Sequence, residues 1–417
     1  MTTSANPPLL HTTTALRLGT RDWLAIAHTL AWFLFLIFAS TALTGLGIEK
    51  SERIAWFPGY LAIAAVLLIG PLPLLTEVRR HLWLLSWPLL AGISVIWSLN
   101  PGKTLYFSFQ LLMTILIAFQ FTIGMTRDKA LRLVFLSLLV VQGICLAFAA
   151  LQPSAAFGLS GELRGTFLHK NTLGALMAVQ ILTAMALLAS GWRRPLAGAG
   201  LALAALLLLL SRSGTAMASL ALPALLLAIV WISLRARRLL DFALGFGLIL
   251  LAAAILYVVT DVSDLLGTLL DGLGKDRTLT GRTLLWQLGM DAWGEEPLLG
   301  LGYKGYWEGA PEKVAYLRYL SGQALWFFHN NFIEIAVAFG WVGLTLFVTS
   351  LVLFIWRAAT RLATHPSGET GWSVAMLLFL VSYAMAENPL FENHSYFHIL
   401  LAIAVSHARP PAIRLRG

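Results

Sequence analysis

One segment of the chain combines three residues suited to binding an anion. Arg164, His169 and Lys170 lie within seven residues of one another, directly before an apolar stretch. A helix capped by Asn171 or Thr172 would add free backbone N–H groups and the positive end of its dipole at this point. The pattern favours a phosphate-binding site, and the alternative is a basic cluster that only anchors the following span in the membrane.

Three other segments each place one cation or histidine at the edge of an apolar stretch. Arg212 lies in a tight hairpin, where it either serves a site or extends to lipid headgroups. Arg282 lies between threonines at the start of a predicted helix, and a solvated arginine is the alternative there. His329 follows three aromatic residues, and it could act as a base or pack as an interfacial histidine.

Twelve apolar segments must position these residues, and each approaches the roughly 20 residues that cross about 30 Å of hydrocarbon. The mean hydropathy of +0.79, with 58% hydrophobic and 12% charged residues, excludes an ordinary soluble protein. We therefore predict an all-α polytopic membrane protein with about 12 transmembrane helices. The predicted spans are 23–46, 54–75, 82–99, 104–124, 131–151, 171–190, 195–211, 215–234, 239–259, 329–356, 371–388 and 393–407.

The Lys and Arg residues are divided unevenly between the two sets of loops. The termini and the loops after even-numbered spans hold 17 of the 29 cations and five of the 20 acids. Cations concentrate on the cytoplasmic side of membrane proteins, so both termini are predicted to be cytoplasmic, and the other loops are predicted to face the outside or the periplasm. Because the cations serve as topological anchors, the pI of 9.9 does not indicate a nucleic-acid partner.

The predicted organisation has three regions, and the middle one is a large periplasmic loop. Segments 279–293 and 311–327 of this loop are predicted to form amphipathic helices. Between them, Gly300–Gly305 spells G-x-G-x-x-G, but no βαβ pattern surrounds it, so it does not indicate nucleotide binding. The regions are 1–259 with spans one to nine, 260–328 with the loop, and 329–417 with spans ten to twelve and a cytoplasmic tail.

In their order along the chain, these segments resemble the O-antigen ligase and polymerase superfamily. The similarity runs from about residue 160 to residue 345 and includes the large loop. It implies a glycosyltransferase of the C-type membrane fold that faces the periplasm and uses an undecaprenyl-diphosphate-linked glycan. It also implies that Arg212, Arg282 and His329 are essential. The segments that carry the resemblance are 164–174, 211–215, 281–286, 297–303 and 329–334.

The function implied is transfer of O-antigen polysaccharide to a lipid A-core sugar hydroxyl, with inversion at the anomeric carbon. The alternative is an O-antigen or exopolysaccharide polymerase whose acceptor is a second lipid-linked glycan. Arginine binds phosphate oxygens in a bidentate manner, and His329 would take the proton of the acceptor. The diphosphate-binding candidates are Arg212, Arg282, Arg164, Lys170 and His169. The candidates for contacting the acceptor or orienting these groups are Asn330, Tyr303, Glu387, Asn393 and His394.

No D-x-D motif or compact carboxylate cluster accompanies these residues; Asp261 and Asp264 lie three apart without neighbouring acids. We therefore expect no metal and no cofactor, with cations neutralising the diphosphate instead. The expected partners are the lipid-linked donor, a lipid A-core acceptor and the lipids of the bacterial inner membrane. A lipid-linked-oligosaccharide transporter is the rival class, but it should carry ionisable groups at mid-membrane depth, which the predicted spans largely lack.

Overall fold

A computed structural model describes residues 20–47, 51–235, 282–321 and 325–407, and helices dominate these ranges. Within them, extended structure is limited to an isolated bridge between Phe157 and Leu163. The all-α prediction is confirmed for this part of the chain. The helices are α1 (Thr20–Ala39), α2 (Ser51–Ile69), α3 (Leu72–Arg80), α4 (Leu82–Ile93), α5 (Pro101–Thr122), α6 (Arg127–Leu151), α7 (Pro153–Ala156), α8 (Lys170–Ser190), α9 (Arg194–Ser211), α10 (Gly214–Arg235), α11 (Arg282–Glu295), α12 (Gly305–Gly309), α13 (Pro311–Ser321), α14 (Asn331–Thr364), α15 (Gly368–Ala384) and α16 (Tyr396–His407).

Six of the described helices are long and apolar enough to cross a membrane: α5, α6, α8, α9, α10 and α14. The chain is therefore a helical membrane protein, but the twelve predicted spans are not all found. Helices α1, α4, α15 and α16 lie at the positions of four further predicted spans, and each has fewer residues than the span predicted there. The predicted span 239–259 lies outside the described residues.

The second predicted span, 54–75, is not one helix. Helix α2 ends at Ile69, and α3 begins at Leu72 after a bend of 106° between the two axes. Pro71 lies at the bend, where its ring fixes φ and it has no N–H to continue a helix. The apolar run predicted as the second span therefore corresponds to a bent pair of helices, with the bend at this proline.

Helix α8 lies at the centre of the bundle. In its most apolar 18-residue window, 89% of the helix is buried inside the protein. It packs against α6, α9, α10 and α15, so little of it remains for lipid. Because α8 begins at Lys170, the core helix brings the basic segment before it to one end of the bundle.

Helix α14 is interrupted at Gly340, which has φ 58° and ψ −153°. The loop segment 297–302 enters the gap and replaces the hydrogen bonds that the helix loses. These replacements run from Leu301 N–H to Val337 O, Gly302 N–H to Ala338 O, Trp341 N–H to Pro297 O and Val342 N–H to Leu298 O, at 2.8, 2.9, 2.9 and 3.3 Å.

This close approach explains the glycines of the loop. A Cβ on Gly300 would lie 2.5 Å from the backbone of Phe339, and one on Gly340 would lie 2.3 Å from the carbonyl carbon of Leu298. Both glycines also have positive φ, which other residues adopt only with strain. Gly300 of the G-x-G sequence therefore allows the loop backbone to pack against the break in α14.

The described part of the large loop has a small hydrophobic core of its own. Leu285 and Ala292 of α11 are buried there, with Trp307 and Phe328. The helix predicted at 279–293 is confirmed from Arg282 onward, and residues 279–281 lie outside the described part. The helix predicted at 311–327 is shorter than expected, since α13 ends at Ser321 and Leu325 is not helical. Residues 322–324 of the predicted helix lie outside the described part of the chain.

Candidate active site

A single buried carboxylate, that of Glu387, joins three segments that are far apart in the sequence. Glu387 lies in the turn after α15, and 7% of the residue is exposed. Its Oε1 accepts hydrogen bonds from Nη2 of Arg282 at 2.9 Å and from Nδ2 of Asn171 at 2.7 Å. Its Oε2 lies 3.0 Å from Nδ1 of His329. The two residues expected to bind diphosphate and to act as a base are therefore held by the same side chain.

Three helices begin at this carboxylate. Asn171 is the second residue of α8, Arg282 is the first residue of α11, and His329 lies two residues before the start of α14. The N-terminal end of a helix carries partial positive charge and unpaired N–H groups. The convergence of three such ends makes this face of the bundle favourable for an anion such as a diphosphate.

The carboxyl of Glu387 stays ionised at neutral pH. Burial on its own would raise its pKa, but the hydrogen bond and charge of His329, with Arg282 and Asn171, outweigh burial and hold the pKa below its ordinary value. The charges of Glu387 and Arg282 cancel each other. Extra positive charge for a ligand must therefore come from other cations on this face and from the helix ends.

An ionised carboxylate can only accept hydrogen bonds, so the Nδ1 atom of His329 must carry the proton in their contact. In a neutral ring, the Nε2 atom then has the free lone pair. The side chain is 25% exposed, and its ring centroid lies 4.4 Å from that of Phe327. Glu387 thus fixes the tautomer that a general base requires.

Arg212 occupies the two-residue connection between α9 and α10, as the predicted hairpin requires. Its Nη1 atom donates to the carbonyl of Ser160 at 2.9 Å, and its side chain is exposed. Its neighbour Ser213 donates to Oδ1 of Asn171 at 2.9 Å. The sequence offers Glu387 as a candidate for orienting Arg212. Among the described residues the carboxylate contacts Arg282 instead, and Arg212 is connected to it through its neighbour Ser213 and through Asn171.

The basic segment before α8 lies at the same end of the bundle. Lys170 is half-buried and His169 is exposed at the N-cap position, where its side chain makes no capping bond. Neither Asn171 nor Thr172 caps the helix, so that prediction was wrong. Asn171 lies inside the first turn and its side chain is used by Glu387. Arg164 lies against the backbone of the preceding loop, with Nη2 3.5 Å from two carbonyl oxygens.

Two of the predicted acceptor residues serve the local structure. Asn330 is the N-cap of α14, and its Oδ1 accepts from the N–H groups of Phe332 and Ile333 at 2.9 and 3.2 Å. Tyr303 is fully buried, and its hydroxyl donates to the carbonyl of Phe391 at 2.7 Å. Its position allows it to hold the turn after α15, but its hydroxyl is not open to an acceptor. The carbonyl of Asn330 accepts the first bond of the helix, from Glu334.

Asn393 and His394 fasten the same turn to other helices. The Nδ2 of Asn393 donates to Oε1 of Gln110 in α5 at 2.6 Å. The imidazole of His394 hydrogen-bonds the hydroxyl of Tyr60 and stacks on Trp56, with ring centroids 5.3 Å apart. The structure therefore does not bring these two residues into the hydrogen-bonded group around Glu387.

Four of the six non-glycine residues with positive φ in the described part of the chain are cations or histidines on the side of the candidate site; the other two are Thr41 and Arg193. Arg212, Lys304, His329 and His394 have φ values of 49°, 58°, 52° and 60°, in the left-handed region that glycine favours. Such positions cost about 1–3 kcal/mol each and persist where the surrounding structure holds them. The backbone conformation of His329 is stabilised by Glu334, whose carboxylate accepts a hydrogen bond from the N–H of the preceding Phe328.

Sequence reasoning missed several parts of this site. Asn171 was considered only as a helix cap and Ser213 only as a member of a motif, and Lys304 was not singled out at all. Lys304 is nearly buried and pairs with Glu392 at 2.6 Å. The signal available in the sequence was the presence of Glu387 and Glu392 directly after an apolar segment, since acids at such positions require cationic partners. Among the described residues, no three His, Cys, Asp or Glu side chains form a group that could hold a metal ion.

Comparison with known proteins shows the family to which the chain belongs. A family model described as O-antigen ligase matches residues 199–348, which include Arg212, Arg282 and His329. The chain is also 31% identical over 328 residues to the exopolysaccharide production protein ExoQ of Rhizobium meliloti (strain 1021), covering 74% of this chain and 73% of that protein. The chain belongs to the O-antigen ligase and polymerase superfamily, as the order of its motifs predicted. Its class is that of membrane glycosyltransferase-type enzymes.

Proposed function

We propose that this protein transfers a glycan from undecaprenyl diphosphate to a sugar hydroxyl, with inversion of the anomeric carbon and without a divalent metal. The observation that carries this proposal is the contact of one carboxylate, Glu387, with both Arg282 and His329. A cation for the leaving group and a base for the nucleophile are the two catalytic groups such a displacement needs.

The leaving group is the lipid-linked diphosphate. As the bond between the anomeric carbon and the diphosphate oxygen breaks, its electron pair moves onto that oxygen, and the new negative charge must be stabilised. Arg282 has five N–H donors, two of which are engaged by Glu387 and by Thr215 among the described residues. Its remaining donors, Lys170, Arg212 and the helix ends then stabilise the diphosphate, with Arg164 and His169 at the margin of the site.

The nucleophile is an acceptor hydroxyl. Its oxygen forms a bond to the anomeric carbon from the face opposite the diphosphate, and its proton moves to Nε2 of His329. Glu387 remains ionised, keeps the Nδ1 proton in place and stabilises the imidazolium that forms. Since diphosphate leaves as an anion, the site needs no general acid.

For the acceptor, we propose a second lipid-linked glycan, which makes the activity that of a polymerase. The similarity that covers 74% of the chain is to an exopolysaccharide production protein, whereas the match described as O-antigen ligase covers residues 199–348. Transfer to a lipid A-core sugar, the outcome favoured by the sequence, is the second candidate and is supported by that family description. In both cases we propose that the site faces the periplasm and that both termini are cytoplasmic, because the opposite loops carry more cations.

The test is a transfer assay with purified protein in detergent, where transport across a membrane has no meaning. The wild type should elongate a lipid-linked donor on its own, and EDTA should not change the rate. His329→Ala should lower turnover by about 10²–10⁴ with little change in donor binding. His365→Ala, at the other end of α14, is the matched control.

Each contrary result corrects a different part of the proposal. Product that forms only after lipid A-core is added identifies a ligase, and the absence of product with either acceptor rejects the enzyme in favour of a transporter. Loss of activity in EDTA that Mg²⁺ restores rejects metal independence. If His329→Ala binds donor poorly but turns over normally at saturation, His329 is a phosphate ligand and not the base.

A further inference from the structure

A cavity of about 580 Å³ lies at the other end of α14 from the candidate active site. Helix α14 has 34 residues, which correspond to roughly 50 Å at 1.5 Å per residue. His329 lies before its first residue, whereas the cavity is lined by residues of its last three turns, together with the junction of α3 and α4 and the end of α16. A volume of this size is in the range of sites that hold organic ligands, about 300–1,000 Å³.

The polar lining of the cavity is basic. Arg80, Arg357 and Arg361 line it together with His81 and His365. None of the lining residues is an acid; Glu77, outside the lining, pairs with Arg80 at 3.9 Å and with His81 at 3.3 Å. One carboxylate offsets one of three arginines, so the cavity carries a net positive charge even when both histidines are neutral.

Arg361 is the buried member of this group. Only 7% of it is exposed, and its Nη1 lies 2.7 Å from Nδ1 of His365. Its Nε is buried and has no hydrogen-bond partner among the described residues. A buried cation bonded to an imidazole rather than a carboxylate is costly unless an anion compensates it. Arg361 lines the basic cavity and has no carboxylate partner among the described residues, and this combination points to an anionic ligand.

The other residues that line the cavity are mostly apolar, and they indicate which kind of anion would fit it. Phe354, Trp356 and Val405 line the cavity beside the arginines, and Trp356 is 70% exposed on the outer surface of the bundle. Tryptophan is typical of the membrane interface, where its ring lies among lipid headgroups. Guanidinium groups beside an apolar wall suit a ligand with a phosphate at one end and a hydrocarbon chain at the other.

We propose that this cavity binds the phosphate headgroup of an anionic membrane lipid, with Arg357 and Arg361 on the phosphate and the hydrocarbon chain along Phe354, Trp356 and Val405. The lipid is bound as a ligand on the face opposite the glycan-transfer site. The proposal does not depend on the transferase chemistry, because the two sites share no residue. Phosphate is the recognised group, and the apolar walls favour a lipid over free inorganic phosphate as its source.

The test is native mass spectrometry of delipidated, full-length protein titrated with phosphatidylglycerol, phosphatidylcholine or inorganic phosphate. The wild type should retain phosphatidylglycerol and not phosphatidylcholine, and millimolar phosphate should not displace it. Arg357→Gln, at an exposed position, should weaken phosphatidylglycerol binding about fivefold. Arg79→Gln is the matched control: Arg79 is exposed next to Arg80 but does not line the cavity, so this variant should bind like the wild type.

Arg361→Lys provides a second variant that keeps the charge at the buried position. It should also weaken phosphatidylglycerol binding, because lysine lacks the planar fork of arginine. Equal binding by Arg357→Gln and Arg79→Gln would overturn the proposal, as would equal retention of phosphatidylcholine. Displacement of bound phosphatidylglycerol by inorganic phosphate would show that the ligand is free phosphate and not a lipid. Glycan transfer in detergent by Arg357→Gln should match the wild type, which separates this test from that of the proposed function.

Discussion

An arginine shielded from solvent lies at each end of α14, Arg282 of α11 at one end and Arg361 at the other, but the two have different partners. At the Glu387 end, Arg282 is paired with a carboxylate that also holds His329, and three helix N-termini converge on the group. At the other end, Arg361 lies one turn from the C-terminus of α14, where the helix dipole favours a cation, and it is bonded to a histidine. The comparison shows that catalytic potential comes from the connections among charges. The loops and termini predicted for the cavity end hold 17 of the 29 cations, yet the candidate catalytic network lies at the end with fewer.

The largest difference between the two ends should appear on neutralising their carboxylates. Glu387→Gln should lower glycan transfer by about 10³–10⁴, since the glutamine cannot hold the Nδ1 proton of His329 as a carboxylate does. Glu77→Gln, which removes the carboxylate next to the cavity, should leave transfer within about twofold of the wild type. Initial rates of both purified variants provide the measurement. Comparable losses in both variants would show that the two ends are not functionally distinct.

Replacing the paired arginine should have the next largest effect. Arg282→Ala should lower the rate by about 10²–10³, because one preorganised donor to the developing charge is removed. Arg282→Lys should recover part of this loss by restoring charge without the fork. Membrane expression and thermal melting should be measured in parallel, because the variant leaves Glu387 buried without its cation. Full activity in Arg282→Lys would mean that charge matters here and geometry does not.

Arg212 offers a smaller effect at the same end. It is exposed and bonded to a carbonyl oxygen, so Arg212→Ala should weaken donor binding about tenfold, a loss of one charged hydrogen bond, and lower turnover less. A titration of donor against initial rate separates the two parameters. If Arg212→Ala lowers turnover as much as Arg282→Ala, the arginine must contact the leaving group directly.

The smallest expected effect is a change in how the thermal stability of the protein depends on pH when Glu387 is replaced. The pKa of Glu387 is lowered in the folded protein, so its stabilising contribution is present above the ordinary carboxyl range and is lost as the pH falls through the lowered pKa. The melting temperature of Glu387→Gln should therefore lie below that of the wild type at pH 7 and approach it in acid. A constant difference between the two proteins from pH 7 to pH 3 would contradict this linkage.

Much of the site was predictable because its residues are of unusual types for their positions. Arg212, Arg282 and His329 are ionisable groups at the edges of apolar stretches. Placing such a group near the membrane costs free energy, so its presence suggests a functional role. The long helices α5, α6, α8, α9, α10 and α14 were predictable because hydropathy over 18 or more residues is a strong signal.

What the sequence did not reveal depends on contacts between distant segments. Glu387 lies 216 residues from Asn171 and 105 from Arg282, so its central position is a product of packing. The break at Gly340 follows from the insertion of segment 297–302, which no local pattern of α14 encodes. The short helices α4 and α16 resemble spans in composition, but where they end is decided by their neighbours.

The broken helix also has a consequence for the order in which the protein is made. An α14 synthesised without its partner would leave the two carbonyls and two N–H groups next to Gly340 unpaired, at a cost of several kcal/mol each in hydrocarbon. Residues 297–302 precede the helix in the chain, so they have already been translated when Gly340 leaves the ribosome. A circular permutation that places this segment after the helix would reverse that order. The backbone groups next to Gly340 would then stay unpaired until residues 297–302 had been translated.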